Sequence, residues 1–355
     1  MFETCAAILT ASGRGAVAVI RVWGPSALTI ADQAFRRSRG RSFTEMPAGQ
    51  LRVGRMGAGL GDEVVVVSIA RTDRETEVEV QCHGGQTAAQ LVLNALAEAG
   101  ARIALAEEWL ATRGTANSIA AWLDLAKAPT LKTARILLDQ AEGALDNAIR
   151  DLKTSQDANV LISQSVVGLR LVEGWRVVLA GRPNVGKSRL LNALAGYGRA
   201  IVDPTPGTTR DVVTFRTALD GWPVELVDTA GLREASEAIE LSGIARARAE
   251  HAKADLILLV LDVSMPITDA DHLLMQDYPQ AVRVANKSDL PPTWKASEIA
   301  AVAVSAERGD GLDLLMARIV ARLVPNPPVP GAAVPFRAEQ VQYLKSLRFA
   351  DEESY

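Results

Sequence analysis

The 355-residue chain carries 38 Lys and Arg against 42 Asp and Glu, a net charge of −4, and is 48% hydrophobic. That length suggests two or three domains, each able to bury its own core, and the acidic balance argues against nonspecific coating of nucleic acid. Two cysteines and three histidines make neither a disulfide framework nor a zinc cluster, and no apolar run approaches the ~20 residues of a membrane helix.

Residues 1–32 lack a signal-peptide pattern, so the expected location is cytoplasmic, with no membrane partner. Residues 1–108 read as a small α/β unit. Ala16 to Val22 and Val64 to Ile69 are β-rich runs, and Glu75 to Gln81 alternates charge with valine as a half-exposed strand does. Thr87 to Ala99 has helical apolar spacing and stops at Gly100. Arg36, Arg37, Arg39 and Arg41 cluster; the reading as a solvated loop stands beside a local basic patch. His83, in Gln81-Cys82-His83-Gly84-Gly85, reads as a turn residue rather than a ligand.

Residues 109–172 turn alanine- and leucine-rich. Leu131, Leu138, Leu145 and Leu152 recur every seven residues, with Ala134, Ala141 and Ala148 between them. That spacing predicts an a/d seam and a closely packed helix pair, within this chain or with a second subunit. Pro129 separates it from an earlier helix, Asn117 to Ala128. Residues 173–324 hold the nucleotide motifs. Residues 325–355 begin with five prolines between Pro325 and Pro335, expected to be extended or irregular, and continue as one helix from Phe336 to Phe349.

The motifs start at Trp175. Val177, Val178, Leu179 and Ala180 predict a buried strand that runs into Gly181, then Gly186-Lys187-Ser188, then helical spacing at Leu190, Leu191 and Leu194. Strand, Gly-xxxx-Gly-Lys-Ser and helix make a phosphate-binding loop, whose backbone N–H groups and helix N-terminus converge on phosphate oxygens. Lys187 is expected to reach the β- and γ-phosphates, Ser188 to ligate Mg²⁺, and Asn184, Val185, Gly186 and Arg189 to complete the contact. Four further elements follow in order. Gly207-Thr208-Thr209-Arg210-Asp211 offers Thr209 as a second Mg²⁺ ligand. In Asp228-Thr229-Ala230-Gly231 the aspartate holds Mg²⁺ through water and the Gly231 N–H senses the γ-phosphate. In Asn286-Lys287-Ser288-Asp289 the Asp289 carboxylate accepts N1–H and the 2-amino group of guanine, a donor pair adenine lacks. Ser305-Ala306 places a backbone N–H at guanine O6. Together they predict GTP and GDP as ligands on a P-loop GTPase domain, a mostly parallel sheet with helices on both faces.

The position two after Ala230, where Ras-type proteins place a water-orienting glutamine, is Leu232. A leucine cannot orient water, so another group must. Asn184, inside Arg182-Pro183-Asn184, suggests a monovalent cation in the place an arginine finger takes elsewhere.

With these residues laid out, the chain resembles the MnmE (TrmE) family of tRNA-modification GTPases. GRPNVGKS, Ala200 to Asp211 and Asp228 to Glu240 carry the likeness in the G domain; Gly13 to Ala27 and Val78 to Gln86 carry it in the N-terminal domain. The resemblance implies a K⁺ ion held by Asn184, Asp203, Thr205 and Thr208, a catalytic Glu240, and switch-region support from Arg210 and Arg233. It implies a homodimer made by a folate-binding N-terminal domain, with Arg21 and Glu79 on a tetrahydrofolate derivative, although both also read as ordinary strand residues. The G domain is then inserted in, or follows, the helical domain. The implied reaction adds an aminomethyl-type group at C5 of the wobble uridine of tRNA, with an FAD flavoprotein, MnmG, as partner. The family's PGEF motif, the lysine that follows it and the C-terminal Cys-Ile-Gly-Lys are not in this sequence. A second reading therefore stays open, a regulatory or RNA-assembly GTPase switch without the tRNA chemistry, and so does a dimeric scaffold with an idle site.

Overall fold

The computed structural model describes residues 3–10, 15–37, 42, 47–71, 76–197, 213–228 and 251–347. The chain divides into two compact units, residues 1–119 and 120–355.

The first unit is a seven-stranded, mainly antiparallel sheet in the order β3-β4-β5-β6-β2-β1-β7. Its strands are β1 (Cys5–Ile8), β2 (Val17–Trp23), β3 (Arg36–Arg37), β4 (Leu51–Met56), β5 (Asp62–Arg71), β6 (Thr76–His83) and β7 (Arg102–Ile103). Alternation in β2 is strict: Ala18, Ile20 and Val22 are buried while Val19, Arg21 and Trp23 are partly exposed. A sheet covered on one face needs that pattern. The covering helices are α1 (Ala27–Ala34) and α2 (Gln86–Glu98), which bury Ile30, Val92, Leu93 and Leu96 against Val64, Val66, Val78 and Val80. Arg36 lies in the short strand β3 rather than a loop, and donates to the carbonyls of Gly57 and Gly59 at 2.5 and 2.6 Å. His83, expected in a turn, is instead the last residue of β6, paired with Val17, and is held by Asp62, which accepts its backbone N–H at 2.9 Å and lies 2.8 Å from its ring. Helices α3 (Ala106–Leu110) and α4 (Ala116–Leu125) follow, and the boundary between the units falls within α4.

The second unit starts helical: α5 (Leu131–Ala141), α6 (Ala144–Asp151) and α7 (Ser155–Gly168). The heptad seam expected from Leu131 to Leu152 is not one helix. Gly143, at φ 102°, ends α5 and starts α6, and a left-handed residue breaks a helical stripe. Leu131 is 81% exposed and Leu138 36%, while Thr133, Leu137, Gln140 and Ala141 form the buried face of α5. The true stripe steps by four, three and one from Thr133, as a helix lying against a core does.

A six-stranded sheet follows in the order β13-β12-β11-β8-β10-β9. Its members are β8 (Trp175–Ala180), β9 (Val213–Leu219), β10 (Trp222–Asp228), β11 (Leu256–Asp262), β12 (Val282–Asn286) and β13 (Val302–Ala303). All are parallel except the edge strand β9, which pairs antiparallel with β10. Continuous burial along β8 and β11 marks strands covered on both faces. Helices α8 (Lys187–Tyr197), α9 (Asp269–Asp277) and α10 (Leu312–Leu323) accompany the sheet, and α11 (Ala338–Ser346) closes the unit.

One core joins the helical segments to this sheet, running from Leu137, Leu145 and Leu161 through Trp175 and Leu226 to Phe336 and Leu344. Two polar clasps reinforce it. Thr130 donates its hydroxyl to the Gly221 carbonyl at 2.7 Å, and Lys132 reaches Asp220 at 3.0 Å while lying over the Trp222 ring. The proline-rich stretch is irregular as expected, yet it is packed: Gln140, fully buried, donates to Ala332 O at 2.9 Å and accepts from Val334 N at 3.1 Å. Among the described residues no helix is long and apolar enough to cross a membrane.

Candidate functional site

β8 carries the chain into the loop 181–186, and α8 begins at Lys187. The loop turns through three positive φ angles: 143° at Gly181, 62° at Asn184 and 95° at Gly186. Two of these positions also lack room for a side chain. A Cβ on Gly181 would meet Val260 O at 2.3 Å, and one on Gly186 would meet the Asn286 amide at 2.3 Å. Lys187, only 6% exposed, donates its ammonium to the carbonyls of Gly181 and Arg182 at 3.0 and 2.8 Å. The cation is thus held over the loop where phosphate oxygens would take those bonds.

Ser188 lies in the first turn of α8, and its hydroxyl donates to Asp228 Oδ2 at 2.5 Å. Asp228 is the last residue of β10, neighbour to β8 in the sheet, and is 2% exposed. A hydroxyl and a carboxylate converging at a helix N-terminus are hard oxygen donors that suit Mg²⁺ when phosphate and water complete the shell. Among the described residues no cluster of three or more His, Cys, Asp or Glu could hold a metal by itself. Asp203, Thr205, Thr208, Thr209, Arg210, Thr229, Ala230, Gly231, Arg233 and Glu240 lie outside the described residues. Asn184 is the one described member of the expected K⁺ set.

The base-reading loops sit at the ends of β12 and β13. Asn286, 2% exposed, donates to Val185 O at 2.9 Å and accepts from Ala306 N at 3.2 Å, tying three motifs together. Asp289 accepts from the Ser305 hydroxyl at 2.6 Å, and that bond holds its carboxyl below the usual aspartate range. One oxygen is oriented by Ser305, which leaves the carboxylate charged and fixed in direction. Lys287, at φ 64°, pairs with Asp262 at 2.6 Å. Burial pushes the Asp262 carboxyl up, but the Lys287 ammonium and the Ser264 hydroxyl and N–H overcome it and hold the group low. Arg189 pairs with Glu307, linking α8 to the Ser305-Ala306 loop.

Sequence reasoning named the loops but missed the bonds between them. Asn286 to Val185, Asp262 to Lys287 and Arg182 to Asp271 are long-range pairs, invisible to local spacing.

In the first unit Arg21 and Glu79 stand opposite each other on β2 and β6 and are bonded at 2.8 Å. Arg21 also donates to Glu77 at 3.2 Å and stacks on Trp109, whose ring carries Arg113 as well. Arg113 and Trp109 donate to Glu77, a carboxylate 5% exposed. The buried Arg21 Nε has no hydrogen-bond partner among the described residues. Glu77, Trp109 and Arg113 carried no sequence signal.

A Lys-capped phosphate loop, an oxygen-donor pair at its helix and a carboxylate fixed in direction beyond the next strand ends form the arrangement of a P-loop GTPase. A family model described as 50S ribosome-binding GTPase matches residues 176–287, and one described as GTP-binding protein TrmE N-terminus matches residues 4–114. The tRNA modification GTPase MnmE of Geobacillus thermodenitrificans is 36% identical over 340 residues, 82% of this chain and 74% of that protein. The MnmE of Symbiobacterium thermophilum is 34% identical over 373 residues, 89% and 82% of the two chains. The chain belongs to the MnmE family of tRNA modification GTPases. Among solved structures, Aquifex aeolicus Era bound to GDP and aluminium fluoride is similar at 28% identity, over 46% of this chain and 62% of that one, with a TM-score of 0.35.

Proposed function

We propose that this GTPase turns over GTP with Mg²⁺ and K⁺ in the service of C5 modification of the tRNA wobble uridine, together with an MnmG-type FAD flavoprotein. The observation that supports the nucleotide half is the Ser188–Asp228 bond beside Lys187, an arrangement suited to Mg²⁺ and phosphate. In this reading Lys187 neutralises phosphate charge, Ser188 and Thr209 ligate Mg²⁺, Asp228 contacts it through water, and Asp289 reads guanine. Val185, Gly186, Arg189, Thr229, Ala230, Gly231, Lys287 and Ala306 complete the nucleotide contacts. Asn184, Asp203, Thr205 and Thr208 hold K⁺, which supplies positive charge between the phosphates. Glu240 orients the attacking water, supported by Arg210 and Arg233.

The remaining assignments follow from the family. Residues 1–108 form the dimerising folate domain, 109–172 and 325–355 the helical domain, and 173–324 the G domain between them. Two G domains pair across the dimer to activate hydrolysis, in the cytoplasm. Arg21 and Glu79 hold a tetrahydrofolate derivative: a guanidinium suits the folate carboxylate and a carboxylate suits pterin donors.

Turnover measured in K⁺ and in Na⁺, with Glu240→Ala beside wild type, tests the catalytic half. Wild type is expected to slow at least about tenfold in Na⁺ and the variant to bind GTP normally while hydrolysing it about a hundredfold more slowly. Equal rates in the two salts, or unchanged turnover in the variant, would remove the respective assignment. Mass spectrometry of wobble uridines in a strain lacking its own family member, with and without this chain, tests the tRNA half; failure to restore the modified base leaves a GTPase switch without that chemistry.

A further inference from the structure

One buried carboxylate of the second unit takes no part in the nucleotide contacts above. Asp271, in the first turn of α9, is 2% exposed. Its Oδ2 accepts the Thr268 N–H at 3.0 Å and the Thr268 hydroxyl at 2.8 Å, while its own N–H donates back to Thr268 Oγ1 at 3.4 Å. That exchange caps the helix and needs only one carboxylate oxygen. The other oxygen, Oδ1, accepts Nε–H of Arg182 at 2.8 Å, across 89 residues of sequence.

Arg182 is the first of the four residues between Gly181 and Gly186. Its side chain is held by Asp271 while its carbonyl receives the Lys187 ammonium at 2.8 Å. The loop is pinned again at its far end, where Asn286 donates to Val185 O. Between the pins lie Pro183, whose ring fixes one φ, and Asn184 at φ 62°. Asparagine enters the left-handed region more readily than other side chains but still less readily than glycine, so the pins on either side select that form over its alternatives. Burial opposes charge on Asp271, but the Arg182 guanidinium and both Thr268 donors hold its carboxyl below the usual range. The pin is therefore an ion pair with one charged member out of water, stiffer than an exposed pair.

We propose that Asp271 is a positioning residue for GTP turnover, acting through Arg182 to hold the Arg182-Pro183-Asn184 turn of the phosphate loop in its left-handed form. The loops expected to read the base are fastened by Asn286, to Val185 and Ala306, and by Ser305, to Asp289, bonds in which Asp271 takes no part, so the effect falls on catalysis and spares guanine affinity. Its link to K⁺ rests on the assignment of Asn184 above; its link to turnover does not.

The full chain, assayed with Mg²⁺ and K⁺, supplies the test. Asp271→Ala is expected to lower kcat about tenfold or more, because small displacements of a phosphate-positioning turn are felt strongly in rate. GDP affinity should stay within about twofold of wild type. Adding Arg182→Ala to Asp271→Ala should cost nothing further, since both remove one interaction. Thr268→Ala, which weakens the same helix cap but leaves the ion pair, should keep wild-type kcat. The isosteric Asp271→Asn, which retains an acceptor for Arg182 without its charge, should fall between wild type and the alanine variant, and it serves if the alanine variant does not fold. A kcat loss that is equal in Thr268→Ala, additive with Arg182→Ala, or matched by an equal loss of GDP affinity would overturn the proposal. The same assays in Na⁺ separate the two readings. If wild type shows no preference for K⁺, the cation assignment fails while the non-additivity still judges Asp271.

Discussion

Asp289 shows how much one side chain decides. Its Oδ1 is bonded to the Ser305 hydroxyl at 2.6 Å, and that bond is the main reason its carboxyl titrates low. The group is thus an acceptor at every working pH, and an acceptor-only carboxylate selects a base edge with two donors. Asp289→Asn puts an amide donor where guanine also donates. GTP binding is expected to weaken about a hundredfold, the worth of a charged hydrogen-bond pair left unmade. Xanthosine triphosphate, which presents an oxygen in place of the 2-amino group, should gain affinity in the variant. Competition against a fluorescent guanine nucleotide reads both; an unchanged order of preference would remove Asp289 from base recognition. The Asn-Lys-Ser-Asp loop was legible in the sequence because the motif is local and follows a recognisable strand. Asp271 was not: its role depends on a partner 89 residues away, and its own surroundings read as an ordinary helix cap.

At the scale of elements, strands and helices were mostly legible and their partners were not. β8 announces itself by a continuous apolar run, and β6 by charge alternating with valine. The seven-residue leucine repeat misled, because one glycine at φ 102° splits it and because α5 packs on Leu137, Gln140 and Ala141, leaving Leu131 and Leu138 outside. Spacing reports which residues share a face only as long as the backbone stays helical. What holds α5 is instead a polar residue. Gln140, at 0% exposure, donates from Nε2 to Ile136 O and Ala332 O at 3.0 and 2.9 Å and accepts at Oε1 from Val334 N at 3.1 Å. The proline-rich stretch cannot supply regular backbone pairing, so side chains satisfy its polar groups: Gln140 at Ala332 and Val334, Asp139 at Gly331 and Gln340 at Phe336. Gln140→Leu keeps comparable bulk and strands a buried N–H and carbonyls. It should destabilise the second unit by roughly 1–3 kcal/mol, read as a lower urea midpoint at unchanged slope. A neutral result would mean that water replaces the amide and that the stretch is not fastened there.

For the whole molecule, the buried residues sort into cores that share no member. One, built on Ile20, Val66, Val80 and Leu96, belongs to residues 1–119. Another runs through both the helices and the nucleotide-binding sheet of residues 120–355. Cooperativity follows shared burial, so the G-domain sheet and its flanking helices should melt as one, and the first unit by itself. Nucleotide bound at the second unit stabilises only what it folds with, by about 2.7 kcal/mol at a hundredfold excess over Kd. Calorimetry of the full chain should therefore show two transitions, with Mg²⁺ and GDP raising one and leaving the other in place. Ile20→Ala, which empties part of the first core at a cost of roughly 2–5 kcal/mol, should lower the transition that nucleotide does not move. If GDP and Ile20→Ala shift the same transition, the two cores unfold as one cooperative unit, and binding of nucleotide is then felt directly by the N-terminal sheet.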